Sequence, residues 1–171
     1  MAYRDTTNEY KATVMKFDGD TWVDVGAAGF SDGNADYTSL AIDRDGTPYV
    51  AYRDDTTNEY KATVMKFDGD TWVYVGAAGF SAGGATRISL AIAPFGTPYV
   101  AFMDDTNDGK ATVMKFNGNW VSVGSVGFAA ANTPSLTIDA SGTLYVAYMD
   151  QATDGSRATV MTYDGNSWVP V

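Results

Sequence analysis

The chain has 171 residues, of which 45% are hydrophobic and 13% aromatic, so its length and composition fit one globular domain with a buried core. It carries 11 basic and 21 acidic residues, and the formal charge of −10 disfavours nucleic acid and anionic membranes as partners. Because cysteine and histidine are absent, disulfides, thiolate nucleophiles, Ser-His-Asp catalysis and the commonest transition-metal ligands are excluded.

No stretch of the sequence approaches the roughly 20 apolar residues of a membrane-spanning helix. The first eleven residues, MAYRDTTNEYK, are too polar for a signal peptide. The sequence therefore predicts a soluble chain without a membrane partner.

The sequence repeats itself along its whole length. Residues 2–31 and 51–81 differ only by one inserted aspartate and by the change of Asp24 to Tyr74. Two looser copies begin at Ala101 and Ala147, which gives a period of about 46–50 residues. We interpret 1–171 as a single repeat domain with repeats at 2–50, 51–100, 101–146 and 147–171. The near identity of the first two copies indicates a recent duplication, or an engineered or excised fragment of a longer array.

Each period contains four short runs of strand-forming residues, exemplified by residues 39–43, 48–53, 61–67 and 71–75. Asp-Gly or Asn-Gly separates the third and fourth runs in every repeat, at 18–19, 68–69, 117–118 and 164–165. These pairs favour turns with positive φ between antiparallel strands. No segment has a helical 3.6-residue period, so the sequence predicts four-stranded meanders and almost no helix.

The third run of the second repeat is apolar on both faces, because Ala62 and Val64 alternate with Met65 and Phe67. Each small sheet must therefore be covered on both sides by neighbouring sheets. This pattern is typical of an all-β propeller built from four-stranded antiparallel blades, and it favours that fold over a parallel β-solenoid or a β-sandwich.

Two residue types recur at fixed places in the repeats and are predicted to form the repeat core. The tryptophans are expected to pack between blades with the indole N–H bonded to backbone, rather than to stack on sugar rings. Tyr49, Tyr99 and Tyr145 are expected in the same interblade core. The predicted tryptophan and methionine core residues are Trp22, Trp72, Trp120, Trp168, Met15, Met65, Met114 and Met161.

The repeat Ser-Leu-Ala-Ile-Asp…Gly-Thr-Pro-Tyr-Val-Ala-Tyr…Lys-Ala-Thr-Val-Met-Lys-Phe-Asp-Gly…Trp-Val resembles the tandem propeller repeats of large bacterial secreted or surface proteins. Residues 163–168 are similar to the kelch element that links third and fourth strands, although 52–54 replace the kelch Gly-Gly. Residues 18–22 distantly resemble the Asp-box of sialidase propellers, without its leading serine. The resemblance implies a propeller fold and a secreted or cell-surface parent protein, but propellers host many activities.

The strand count predicts self-assembly. The chain holds three complete blades and one without its first strand, about 3.5–4 blades, whereas propellers close with about 4–8. Two copies would supply seven or eight blades, so we expect a homodimer that completes the ring and covers the terminal sheets. A four-bladed ring closed within one chain is the alternative.

Asp43 and Asp45 lie in an Asp-x-Asp-Gly pattern, which makes them weak candidate ligands for Ca²⁺. The next repeat has Ala93-Pro94-Phe95-Gly96 at this place. A turn that needs Asp before Gly explains both repeats, so we favour a turn and expect no cofactor.

Tyr52, Arg53 and Asp54, at the end of a second strand, are the candidate ligand-binding residues. Sialidases combine guanidinium, phenol and carboxylate groups in their active sites. Later repeats carry Met103 and Met149 in place of the arginine, which disfavours catalysis. The aspartates near this strand end are expected to keep the rim of the propeller acidic; they are Asp5, Asp54, Asp55, Asp104, Asp105 and Asp150.

These observations predict a non-enzymatic, self-assembling propeller that acts as a scaffold or interaction module. Weak glycan binding at repeated sites would gain strength from multivalency. The alternative is a fragment of a sialidase-type glycoside hydrolase.

Overall fold

The computed structural model describes residues 1–55, 59–150 and 157–171, so part of the polar stretch after Asp54 and part of the last repeat lie outside the described residues. The described ranges contain fifteen strands and one short 3-10 turn, Asp105–Asn107. The strands are β1 (Ala2–Asp5), β2 (Lys11–Phe17), β3 (Trp22–Asp24), β4 (Ala35–Ile42), β5 (Pro48–Asp54), β6 (Lys61–Phe67), β7 (Trp72–Tyr74), β8 (Ala85–Ile92), β9 (Pro98–Asp104), β10 (Lys110–Phe116), β11 (Trp120–Ser122), β12 (Ala131–Ile138), β13 (Leu144–Asp150), β14 (Arg157–Tyr163) and β15 (Trp168–Pro170).

The strands form four antiparallel sheets, each of which follows chain order from one edge to the other. The first sheet has three strands, β1–β3, and the second, third and fourth sheets have four each, β4–β7, β8–β11 and β12–β15. The predicted all-β class with antiparallel, blade-like sheets is confirmed, and the sheets form an open array. In the part of the chain that the structure describes, no helix is both long and apolar enough to cross a membrane.

The Asp-Gly turns form as predicted. Gly69 has a φ of +106°, a backbone conformation that residues with a Cβ rarely adopt. The Asp68 carboxylate accepts hydrogen bonds from the amides of Asp70 at 2.9 Å and Thr71 at 2.8 Å. These amides lower the pKa of Asp68, because they stabilise its ionised form.

The second sheet is apolar on both faces, as the alternation in β6 predicts. Ala62 and Val64 pack in a core shared with the third sheet. Met65 and Phe67 pack in a core shared with the first sheet. Burial on both sides explains why the sheets associate as a stack rather than fold singly.

The first strands of neighbouring full sheets lie against each other, β4 with β8 and β8 with β12. Two serines join them: the Leu90 amide donates to Ser39 Oγ at 3.0 Å, and the Leu136 amide donates to Ser89 Oγ at 3.0 Å. These strands therefore form the connected inner edge of the array.

The carboxylates at the ends of the second strands are interior groups. Asp5, Asp54 and Asp104 are 5%, 0% and 3% exposed, so the prediction that they keep the rim acidic is wrong for these three. Asp104 accepts hydrogen bonds from the Thr106 amide and hydroxyl at 3.0 and 2.6 Å, and from Thr112 Oγ1 at 3.0 Å. A charged group is tolerated here because several donors replace water.

The same network recurs in the first sheet. Asp5 accepts from the Thr7 amide and hydroxyl at 2.9 and 2.7 Å, from Asn8 Nδ2 at 2.8 Å and from Thr13 Oγ1 at 2.9 Å. Thr13 Oγ1 in turn accepts from the Gly29 amide at 2.8 Å, which fixes the loop after β3. These donors lower the pKa of Asp5 well below its usual range.

Candidate binding site

Strand alternation separates the three candidate ligand-binding residues. Tyr52 and Asp54 share one face of β5 and are fully buried, whereas the Arg53 side chain on the other face is 17% exposed. The Tyr52 hydroxyl donates to Met65 Sδ at 3.4 Å, and burial raises its pKa. The structure therefore leaves only Arg53 of this trio at the surface, and a buried phenol of raised pKa is unsuited to act as a nucleophile.

The two candidate calcium ligands belong to a turn. Asp43 Oδ1 accepts hydrogen bonds from the amides of Asp45 and Thr47, both at 2.9 Å. Over residues 1–55, 59–150 and 157–171, no group of three or more acidic side chains is arranged to hold a metal ion.

The recurring tryptophans mostly lie between sheets. Trp72 and Trp168 are each 8% exposed, and Trp120 packs against the core shared by the second and third sheets. Trp22 is 52% exposed, on a face that none of the four described sheets covers. Tyr49 is 7% exposed, and burial raises its pKa.

Among the methionines, Met65 is buried, and Met114 and Met161 pack against the cores. Met15 lies beside a cavity of about 390 Å³ between the first two sheets.

A β-bulge opens each inner strand at the same place. In β4 the pairing shifts between Asp36 and Ser39, so Tyr37 and Thr38 together oppose a single residue of β5. Tyr37, Arg87 and Thr133 occupy the equivalent bulge position with φ of 51°, 53° and 50°. A left-handed conformation in residues other than glycine is strained, and such strain concentrates at functional sites.

Ion pairs surround the first of these bulges. Asp36 bridges two sheets: Arg4 Nε of β1 lies 3.2 Å from its Oδ1, and Arg53 Nη2 of β5 lies 3.1 Å from its Oδ2. Arg53 Nη2 also donates to Asp55 Oδ2 at 3.0 Å. The side chains of Arg53 and Asp55 are only 17% and 15% exposed, so the guanidinium is held in one orientation.

Tyr37 lies close to two guanidinium groups. The centre of its ring is 4.8 Å from Arg53 Cζ and 5.7 Å from Arg87 Cζ, which belongs to the third sheet. Both distances are within cation–π range. Tyr37 is 38% exposed, and Arg87 is exposed with no carboxylate of the described residues within ion-pair distance. Among the described residues, therefore, no carboxylate competes for the donors of Arg87.

We call this group the arginine–tyrosine cluster; its members are Arg4, Asp36, Tyr37, Arg53, Asp55 and Arg87. The chain has five arginines, at positions 4, 44, 53, 87 and 157, so three of the five gather here in an otherwise acidic protein. The cluster joins three sheets at the end where β1, β5 and β9 finish.

Two carboxyl groups of the cluster interact. Burial raises the pKa of Asp36 above its usual range, and the neighbouring Asp55 adds to the rise, while Arg4 and Arg53 offset it only in part. The Asp36 carboxyl is therefore more easily protonated than an isolated aspartate.

The sequence analysis identified Arg53 but missed Asp36, Tyr37 and Arg87. One sequence feature could have revealed them. Between the shared Ala and the shared Ser-Leu of the inner strands, residues 36–37, 86–87 and 132–133 read Asp-Tyr, Thr-Arg and Asn-Thr. These two positions differ in all three repeats although the flanking Ala and Ser-Leu are shared, which indicates positions freed from packing constraints; the third residue of the segment, Thr38, Ile88 or Pro134, differs as well.

No protein-family model and no curated protein sequence matches this chain. Several solved structures are similar to this chain. A fucose lectin from Kordia zhangzhouensis, in complex with methyl-fucoside, is 16% identical with a TM-score of 0.51; the match covers 78% of this chain and 96% of the lectin chain. A lectin from Aleuria aurantia, in complex with Fucα1-6GlcNAc, is 12% identical with a TM-score of 0.66 and is matched over 99% of this chain.

The solved structures similar to this chain also include enzymes. A Hadza microbial sialidase is 15% identical with a TM-score of 0.58, over 98% of this chain. The chain spans 57% of the Aleuria lectin and 41% of the sialidase. At these identities the likeness shows the fold alone: an open array of β-propeller-type sheets, of the kind found in lectins and glycoside hydrolases.

Proposed function

We propose that the chain is a non-enzymatic interaction module that binds glycans at the arginine–tyrosine cluster. The observation that carries this proposal is the exposed Tyr37 ring, held on a strained bulge beside the guanidinium groups of Arg53 and Arg87. A rigid aromatic face can pack on the apolar face of a sugar ring, and neighbouring guanidinium groups can donate to its hydroxyls.

The charges of the cluster support binding of a polar ligand. Asp36 and Asp55 fix Arg53, so little side-chain entropy remains to be lost when it donates to a ligand. Arg87, which forms no ion pair with a described carboxylate, can donate to the same ligand. Two of the similar solved structures are lectins that hold fucosides, which agrees with a glycan as the class of ligand.

Titration calorimetry with methyl-fucoside, Fucα1-6GlcNAc and sialyllactose tests the proposal. We expect weak binding of at least one of them, which Tyr37→Thr and Arg87→Thr each weaken about 10-fold. Threonine occupies the same bulge position at Thr133, so these variants keep the backbone. Arg44→Thr is the matched control, because Arg44 is exposed and outside the cluster. Absence of binding by all three glycans, or binding indifferent to Tyr37→Thr, would contradict the proposal.

The second candidate is a sialidase-type glycoside hydrolase, favoured by one observation: Asp36, with its raised pKa, lies beside Asp55 as a possible acid and carboxylate pair. Against it, Asp36 is engaged by two arginines and is not free to protonate a leaving group. Hydrolysis of an arylglycoside that disappears in Arg53→Ala would establish the enzyme and displace the binding module.

We also propose that the module assembles with a second copy of itself, as expected for an array whose end sheets are apolar. A pair would present two clusters and bind a multivalent glycan more tightly than a free sugar. Light scattering should give a mass near twice 18.2 kDa. A single species of 18.2 kDa at all concentrations would refute self-association.

A further inference from the structure

The three joints between neighbouring sheets share one hydrogen bond, although the joint of the three-stranded first sheet lacks the serine link between first strands. In each, a tryptophan that begins the fourth strand of one sheet donates its indole N–H to a valine carbonyl of the preceding sheet. Trp72 donates to Val25 at 2.8 Å, Trp120 to Val75 at 2.8 Å and Trp168 to Val123 at 2.9 Å. Each joint therefore has a tryptophan half and a valine half, which differ from one another.

The first sheet presents an unused tryptophan half. Trp22 and Phe17 are 52% and 55% exposed, and their rings lie 5.8 Å apart at 57°. The corresponding pair in the second sheet, Trp72 and Phe67, lies 5.6 Å apart at 52° and packs in the joint. The open half thus already has the geometry of a closed one.

The fourth sheet presents an unused valine half. Val160 is 42% exposed, whereas its counterparts Val64 and Val113 are 1% and 0% exposed. Val171 is 79% exposed and stands in the series Val25, Val75, Val123.

The backbone of Val171 is already in position. Its amide donates to the Val160 carbonyl at 3.1 Å, as the Val75 amide donates to Val64 at 2.9 Å. The Val171 amide is therefore bonded as the amides of Val25, Val75 and Val123 are, which places this residue like the valines of the internal joints.

We propose that two copies join head to tail: the tryptophan half of one copy docks on the valine half of the other, with Trp22 Nε1–H donating to the Val171 main-chain oxygen of the second copy. This inference rests on the self-association proposed above and specifies its geometry. The three joints inside the chain show that a tryptophan half and a valine half of this repeat are complementary. A symmetric joint would instead place Trp22 against Trp22, a contact that no internal joint makes.

Mixing two variants tests the geometry. Trp22→Ala removes the tryptophan half, and Val160→Asp places a charge in the valine half. For a head-to-tail joint we expect each variant alone to be a monomer by light scattering, because its intact half has no partner. An equimolar mixture should form a two-chain species through one intact joint. Phe95→Ala, at an 89% exposed phenylalanine outside both halves, should assemble as the unmodified chain does.

Ala147→Glu is a second valine-half variant, since Ala147 is exposed where its counterparts Ala51 and Ala101 are 0% exposed. Circular dichroism of each variant verifies folding. If the unmodified chain dimerises but Val160→Asp and Ala147→Glu do so equally well, or if the mixture stays monomeric, the head-to-tail joint is overturned while self-association stands. If the unmodified chain is a monomer, self-association itself fails. Binding of a free sugar is unaffected by either result, because the arginine–tyrosine cluster lies in neither half; only the tighter binding of a multivalent glycan depends on assembly.

Discussion

At the scale of single residues, neighbouring aspartates have opposite surroundings. Asp104 is buried and accepts hydrogen bonds from Thr106, Asn107 and Thr112, whereas Asp105 is exposed. We expect Asp104→Ala to lower the free energy of unfolding by about 2–3 kcal/mol, because it leaves buried donors unpaired. Asp105→Ala should change it by less than about 0.5 kcal/mol. Urea denaturation of both variants measures the difference, and equal effects would show that the network is not stabilising.

Asp5 makes the stability of the chain depend on pH. Its folded-state pKa is lowered, so at acid pH the unfolded chain binds the proton more readily than the folded one. The stabilisation is present above pH about 4, near the ordinary pKa of aspartate, and is lost as the pH falls further. Thermal melts between pH 5 and pH 2 should show a smaller decline for Asp5→Asn than for the unmodified chain. Asp20→Asn, at an exposed turn residue, should leave the decline unchanged.

At the scale of elements, each bulge exposes a side chain but lowers the stability of the fold through its strained backbone. Thr133 is a β-branched residue at φ 50°, where glycine would be unstrained. We expect Thr133→Gly to raise the free energy of unfolding by about 0.5–1 kcal/mol. Thr137→Gly, at an exposed position of regular backbone in the same strand, should lower it by a similar amount. Destabilisation by both variants would mean that the bulge is not strained.

Much of each element was predictable from the sequence, and the bulges were not. Alternating apolar residues and Asp-Gly turns located the strands, because both follow from the period of two and from the φ that a turn requires. The inserted residue of a bulge reverses the alternation locally, so Tyr37 and Arg87 gave no periodic signal. The same alternation, applied strictly to β5, separates Tyr52 and Asp54 from Arg53 and would have prevented their grouping as one site.

At the scale of the whole molecule, protection should be greatest in the middle of the array. The second and third sheets are covered on both faces, whereas the first and fourth each have one open face. In the Trp22→Ala variant, which we expect to be monomeric, amide hydrogen exchange should be slowest in β5, β6, β9 and β10 and faster in β2 and β14. Uniform protection across all four sheets would show that they unfold as one unit.

The bulge positions also have a consequence for how such a protein can change. Tyr37, Arg87 and Thr133 share one backbone conformation although they differ in size, charge and polarity. Duplication of a repeat, followed by substitution of the two residues at its bulge, would therefore change the exposed surface and leave the buried core the same. A randomised library restricted to 36–37, 86–87 and 132–133 would exploit this tolerance to retarget the molecule.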